Sequence, residues 1–308
     1  MRKLFLILVL LCALSSWVQI SESRHHHLFV HLPVTHAASC LTASFSAGGV
    51  TWTCNSAFLV DGTSPQSITV SPTAGTVTLI WAYICEDGGA CTASPITVTL
   101  AIKDNINNPE TCFQTSPGTP FTISDSGGFH EQGYFQVCPS TPSGITSFTG
   151  TTSSPVFEAI WLVNFTVSTG VPSSSTIDKD GLAVSSSSTT SGTVTLSANT
   201  VNANDLIIGI VDNDNDEPQT GFGSGFGKIV CDPNTNGCLQ AAAVSATGSY
   251  TVCATWTVSP TNCTGGTGGT PDSWFAAAMG VKANAPSGSG GGGFGGKAGI
   301  GGKAGVGY

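Results

Sequence analysis

Charge is what this chain has least of. Charged residues fill 9% of its 308 positions, against roughly 25% in an ordinary soluble domain. Between Cys40 and Ala285 there are four lysines, no arginine and 17 acidic residues. Four lysines cannot form the basic stripe that nucleic acid requires, and the acidic excess opposes an anionic membrane surface. No CxxC pair occurs, and five of the six histidines precede Cys40, which argues against a zinc site. No amphipathic helical period is found beyond residue 40, and the long uncharged apolar run is confined to the N-terminus.

What is present is small, polar and β-forming. Serine and threonine make up roughly a quarter of the chain, yet hydrophobic residues reach 40%, enough to build a sizeable core and exclude wholesale disorder.

Met1-Arg2-Lys3 and the 11 apolar residues Leu4 to Leu14 follow the plan of a secretory signal peptide. Cleavage after Ser23 or after Ala37 satisfies the small-residue rule, and we take residues 1–23 as the signal and 24–39 as a leader. The competing reading is a retained anchor, because Leu4 to Ile20 is uncharged over 17 residues. Past Cys12, ten cysteines remain, an even number that fits five disulfides in an oxidising compartment. Sequential pairing would give Cys40–Cys54, Cys85–Cys91, Cys112–Cys138, Cys231–Cys238 and Cys253–Cys263. Lipidation of Cys40 in Ala37-Ala38-Ser39-Cys40 is the alternative, and parity argues against it.

From residue 40 the apolar period is two. Ile96, Val98, Leu100 and Ile102 alternate with polar or small residues, as do Val77, Leu79, Trp81 and Tyr83, and Tyr250, Val252, Ala254, Trp256 and Val258. Val156 to Val163, Leu206 to Val211 and Trp274 to Val281 are apolar on both faces, the mark of central strands in a layered structure. Turn-rich clusters separate them, so the expected fold is an all-β, disulfide-stapled sandwich of jelly-roll type. The serine run Ser173 to Ser191 reads as a linker or as a long loop within one sandwich.

The segments Val194 to Val211 (VTLSANTVNANDLIIGIV), Gly248 to Ser259 (GSYTVCATWTVS) and Ser273 to Ala283 (SWFAAAMGVKA) resemble a family of secreted bacterial jelly-roll proteins of uncharacterised function, with a concanavalin-like β-sandwich. The resemblance implies that Cys40 to Ala283 is a single domain and offers no catalytic residues, and we take residues 40–285 as the β-sandwich domain. Pro286 to Tyr308 differs in kind, with 12 glycines in 23 residues and a doubled GGKAG unit. It reads as a disordered tail, inert or serving self-association.

Asp212-Asn213-Asp214-Asn215-Asp216-Glu217 is the strongest local signal, because aspartates at i, i+2 and i+4 open calcium loops. Asp212, Asp214, Asp216 and Glu217 are therefore the candidate Ca2+ ligands, weighed against a solvated acidic hairpin loop. The sequence is no EF-hand, since Glu217 stands where glycine belongs and Gly223 where the bidentate glutamate belongs. Asp178-Lys179-Asp180-Gly181 is a weaker calcium candidate. Glu158 shares an apolar strand face with Ile160, Leu162 and Asn164, and it is the one candidate acid for glycoside hydrolysis, though no second strand carboxylate partners it. Ser124-Asp125-Ser126-Gly127-Gly128 approaches a serine-protease motif but lacks a suitably placed base and reads as a turn. Gly221 to Lys228 departs from a phosphate loop at Phe222 and Ile229 and reads as a loop between strands. Trp52, Trp81, Tyr83, Trp161, Trp256 and Trp274 read as core first and sugar platform second.

The function expected from these residues is that of a secreted, non-catalytic extracellular module that binds glycan or surface. A polysaccharide-acting hydrolase using Glu158 and a self-assembling surface subunit are the alternatives. Its partners would be an extracellular glycan, a cell-surface component or itself.

Overall fold

The computed structural model describes residues 36–286 except 64, 70–73, 85–99, 107–111, 119, 125–129, 154–156, 214–216, 234–235, 259, 261–262, 264–266 and 270. Among the described residues every element is a β-strand, and every pairing is antiparallel. Sheet I runs β1 (His36–Ala38), β3 (Val50–Thr63), β11 (Phe157–Val167), β5 (Val77–Ile84), β9 (His130–Cys138), β7 (Gln114–Thr115). Two further strands join it, β2 (Ser44–Ala47) on β3 and β8 (Phe121–Ser124) on β9. Sheet II is β4 (Gln66–Thr69), β10 (Ser147–Thr152), β6 (Leu100–Asp104). Sheet III is β12 (Ile177–Thr189), β19 (Asp272–Val281), β14 (Leu206–Asn213), β17 (Cys238–Ala243), β16 (Gly227–Cys231). Sheet IV is β13 (Ser191–Thr195), β18 (Thr251–Thr255), β15 (Gly221–Phe222).

The sheets stack in the order II, I, III, IV, and strand alternation is what builds the stack. Along β5, Val77, Leu79, Trp81 and Tyr83 enter the core between sheets I and III, while Ile80, Ala82 and Ile84 enter the core between I and II. Along β14, Leu206, Ile208 and Ile210 face sheet I, and Ile207 and Val211 face sheet IV. A strand between two apolar layers has no wet face, so its sequence is apolar or small at most positions on both faces. That is why β5 and β14 are buried at every position, and why the doubly apolar segments read from the sequence fall in β11, β14 and β19. The tryptophans divide among the same layers: Trp52, Trp81 and Trp161 lie in the central core and Trp256 between sheets III and IV.

One strand order occurs twice. In the first half, β3, β11, β5 and β9 are successive neighbours in one sheet, and β4, β10 and β6 form the other. In the second half, β12, β19, β14 and β17 succeed one another, and β13, β18 and β15 form the other sheet. Counted from β3 in the first half and from β12 in the second, the first strand pairs with the last, the last with the third, and the second with the penultimate. The irregularities match too. An extra residue interrupts β3 where β11 passes from Asn164 to Phe165, and another interrupts β12 between Ile177 and Asp180.

The serine run is not wholly a loop. Ile177–Thr189 forms β12, with Val184 and Ser185 opposite Phe275 and Trp274. β12 is an edge strand with one partner, a position where serine is tolerated without an apolar complement.

Four disulfides join Cys40 to Cys54, Cys112 to Cys138, Cys231 to Cys238 and Cys253 to Cys263. Cys231 and Cys238 face each other across the β16–β17 pair. Cys85 and Cys91 lie outside the described residues, as do the expected signal segment and the glycine tail beyond Pro286.

Candidate functional site

The acidic loop that leads the sequence candidates begins at the end of β14. Asp212 is buried and accepts the Asn213 N–H at 3.0 Å. A Cβ built on Gly237 would stand 2.9 Å from its carboxylate oxygens, so the turn between β16 and β17 lies directly on it. Asn213 closes the loop from within: its Nδ2 donates to the Glu217 carbonyl at 3.0 Å, and its Oδ1 accepts the Glu217 N–H at 2.7 Å. Asp214 and Asp216 lie outside the described residues. Among the described residues no three His, Cys, Asp or Glu side chains converge as a metal site.

Glu158 stands near the start of β11, its backbone opposite Gly62 and Ile84, and its side chain lies outside the described residues. The glycine run is built into the fold. Gly221–Phe222 pairs with β18, and Lys228 donates to the Gln219 carbonyl at 3.1 Å with its ammonium 4.7 Å from the Phe222 ring centre. Trp274 is half-buried and donates its indole N–H to Thr189 Oγ1 at 2.8 Å.

Two buried polar nodes occupy matched places in the two halves. In the first, Asn164 on β11 donates from Nδ2 to Thr76 Oγ1 (2.7 Å), Thr78 Oγ1 (3.1 Å) and the Val77 carbonyl (3.3 Å). Its Oδ1 accepts from Asn55 at 3.0 Å, and Asn55 is the extra residue in β3. Every polar atom of the Asn164 amide is thereby satisfied, as burial demands.

The second node holds Asp178 and Asp205. Asp178 lies at the interruption in β12, and Asp205 immediately precedes β14 as Thr76 precedes β5. Asp178 Oδ2 accepts the N–H groups of Val201 (2.6 Å) and Asn202 (3.0 Å). Asp205 Oδ1 accepts Asn202 Nδ2 at 2.8 Å, and the same nitrogen reaches the Ala283 carbonyl at 3.1 Å. The remaining oxygens, Asp178 Oδ1 and Asp205 Oδ2, are buried and receive no hydrogen bond. Burial pushes the Asp205 carboxyl up to about 7; Asp178 adds to the rise, while the Asn202 bond and the Lys282 ammonium oppose it. Asp205 was not among the sequence candidates. The available signal was an aspartate set directly before a wholly apolar strand, where a solvated loop residue is the ordinary reading.

Asp180, in the weaker calcium motif, has a different task. It accepts the Gly118 N–H at 2.6 Å and the Ser116 hydroxyl, and so ties β12 of the second half to the loop after β7 of the first.

Compared with known proteins, the chain matches no family model and no curated sequence.

Proposed function

We propose that the chain is a secreted, non-catalytic extracellular module, made of two jelly-roll sandwiches fused through their large sheets, that binds a hydroxyl-rich surface such as a glycan. The repeated order, with first strand beside last and second beside penultimate, is the order a jelly roll produces, which supports that reading of each half. The four disulfides are compatible with an extracellular protein. Burial of Trp52, Trp81, Trp161 and Trp256 moves the argument for glycan contact from aromatic stacking to the outer sheets.

The observation that carries the proposal is the hydroxyl ladder on each outer sheet. Sheet II presents Ser67 hydrogen-bonded to Thr149 at 2.7 Å, with Thr151 exposed on the same strand. Sheet IV presents Thr195 bonded to Thr251 at 2.8 Å, with Thr193 exposed beside them. Flat faces of paired hydroxyls donate and accept along a polysaccharide while the apolar layers beneath keep them rigid.

The test is a polysaccharide array probed for binding and for released product with the purified, oxidised protein. Binding without product, weakened by Thr149→Val with Thr195→Val, is the expected result. Released oligosaccharide would replace the proposal by the hydrolase reading and make Glu158→Gln the next variant. A silent array, with the protein sedimenting as an oligomer, would replace it by self-assembly.

A further inference from the structure

Sheet I ends on a strand that covers less of its neighbour than the sheet offers. β3 pairs with β11 as far as Thr63, opposite Phe157, but on its other side β1 begins at His36, opposite Leu59. Among the described residues no strand lies against Val60 to Thr63 on that side. An uncovered strand edge is a template for pairing. The chain that enters β1 comes from residues 24–35, which lie outside the described residues.

The ladder dictates what fits that edge. Successive residues of an antiparallel strand bond alternately toward one neighbour and the other. The Ser168 N–H donates to the Thr51 carbonyl, so Ser168, Thr166 and Asn164 are the β11 residues that bond toward β3. Because Asn55 is extra, Asn164 stands opposite Ser56. Ser56, Phe58, Val60 and Gly62 therefore bond toward β11, and Ala57, Leu59, Asp61 and Thr63 bond toward the β1 side. Continuing the β1 register upstream places Thr35 opposite Val60, Val34 opposite Asp61, Pro33 opposite Gly62 and Leu32 opposite Thr63. Both alternations of a strand then agree. Val34 and Leu32 fall on the face of Ala57 and Leu59, which is the central-core face, and their N–H groups are directed at β3. Pro33, with no N–H to give, falls where the backbone bonds away from β3, the place an edge strand tolerates proline. A slip of one residue would reverse both.

We propose that Leu32 to Thr35 extends β1 along Val60 to Thr63, so that the leader is a structural strand of the folded protein, and that the signal is removed upstream of it, after Ser23. Cleavage after Ala37 would cut β1 between the residues opposite Phe58 and Ala57 and leave β3 without this partner. Cleavage after Ser23 keeps residues 24–35 ahead of β1, more chain than the edge needs. The Cys40–Cys54 disulfide ties the far end of the same connection to β3. Joined to β1 in this way, the segment meets its own β3 at high effective concentration, which favours that edge over the edge of a second copy. The choice of cleavage site rests on the secretory reading; the strand does not, and neither depends on what the outer sheets bind.

The experiment is hydrogen exchange on the oxidised chain as secreted, read at the Asp61 and Thr63 amides, with the N-terminal residue of the same preparation identified by mass spectrometry. The expected result is Arg24 at the N-terminus and exchange at both amides as slow as at Leu59. Val34→Pro removes an N–H directed at β3, and should speed exchange at Asp61 and Thr63 by about tenfold or more and lower Tm by a few degrees. Thr35→Pro removes an N–H directed away from β3 and should change neither. Fast exchange at Asp61 and Thr63 in the parent, equal effects of the two prolines, or a mature protein that starts at Ala38 would each overturn the proposal. A parent that sediments as an oligomer and becomes a monomer in Val34→Pro would also overturn it, by assigning the strand to β3 of a second copy. An N-terminus at Met1 would fail the secretory reading alone, with the strand still decided by exchange.

Discussion

Asn164 and Gly280 hold the same position in two copies of one strand order, and the first completes with its own amide a node that the second leaves to two aspartates. The relationship places both polar centres at equivalent ends of the central sheets, each fed by an extra residue in the first strand of its half.

Removing the Asn164 amide should be expensive. Asn164→Leu strips the donor from Thr76 Oγ1, Thr78 Oγ1 and the Val77 carbonyl at a site only 1% exposed. Buried polar groups left unsatisfied cost about 1–3 kcal/mol each when no water replaces the partner. Thr78 keeps a bond to Thr141 at 2.7 Å, which limits the loss. We expect about 3 kcal/mol of destabilisation, read as a lower denaturant midpoint with an unchanged m-value.

Much of the layering is legible in the sequence. β11, β14 and β19 are readable because a strand between two apolar layers carries apolar residues on both faces, whereas the alternation of β5 with Thr78 and Ala82 points to one buried face and the strand is buried on both. The serine run misled, because Ser185 and its neighbours carry no hydrophobic alternation, and an edge strand needs none. The duplication was hidden for a related reason. Matched positions hold different solutions to the same space, Asn164 against Gly280 and Thr76 against Asp205, so the repeat survives in strand order and register while residue identity is lost. The acidic loop drew attention through its density of charge; the Asp178–Asp205 node brings together residues far apart in sequence.

The second node makes stability fall as pH rises. The Asp205 carboxyl is pushed from 3.8 to about 7, chiefly by burial and then by Asp178, with Asn202 and Lys282 acting the other way. The group is neutral in the folded protein across a range where it is ionised in the unfolded chain, so the folded state binds the extra proton. The contribution of this site is therefore fully present below pH 4, declines from about 4 to 7 and is gone above, by up to about 1.4 kcal/mol per pH unit. Asp178 on β12, Lys282 after β19 and Tyr250 before β18 are the charged or titratable groups coupled to it. Chemical denaturation at pH 5, 6, 7 and 8 should show the decline, and Asp205→Asn should remove this component of it.

The disulfides should differ in weight according to the loops they close. Cys112–Cys138 spans 26 residues and Cys231–Cys238 spans 7. On the chain-entropy account their removal costs about 3.5 and about 2.4 kcal/mol. Paired Cys→Ser variants, compared by urea midpoint under oxidising conditions, should rank in that order. The reverse order would mean that the Cys231–Cys238 bridge acts on the native hairpin over Asp212, through the turn at Gly237.

Asp180 should govern how firmly the two halves hold together. Its carboxylate takes the Ser116 hydroxyl and the Gly118 N–H while sitting 8% exposed on a strand of the other half. A charge-assisted bond to a backbone N–H is stronger than a neutral one, and both bonds depend on this single side chain. Asp180→Asn keeps the shape but withdraws the charge and turns one acceptor into a donor. We expect a loss of about 2 kcal/mol, with faster hydrogen exchange concentrated at Gly118 and its neighbours and little change in the β14–β19 pair. Uniform acceleration across both halves would instead mean that the shared apolar core, from Trp81 and Phe275 outward, couples them so tightly that the polar tie opens only with global unfolding.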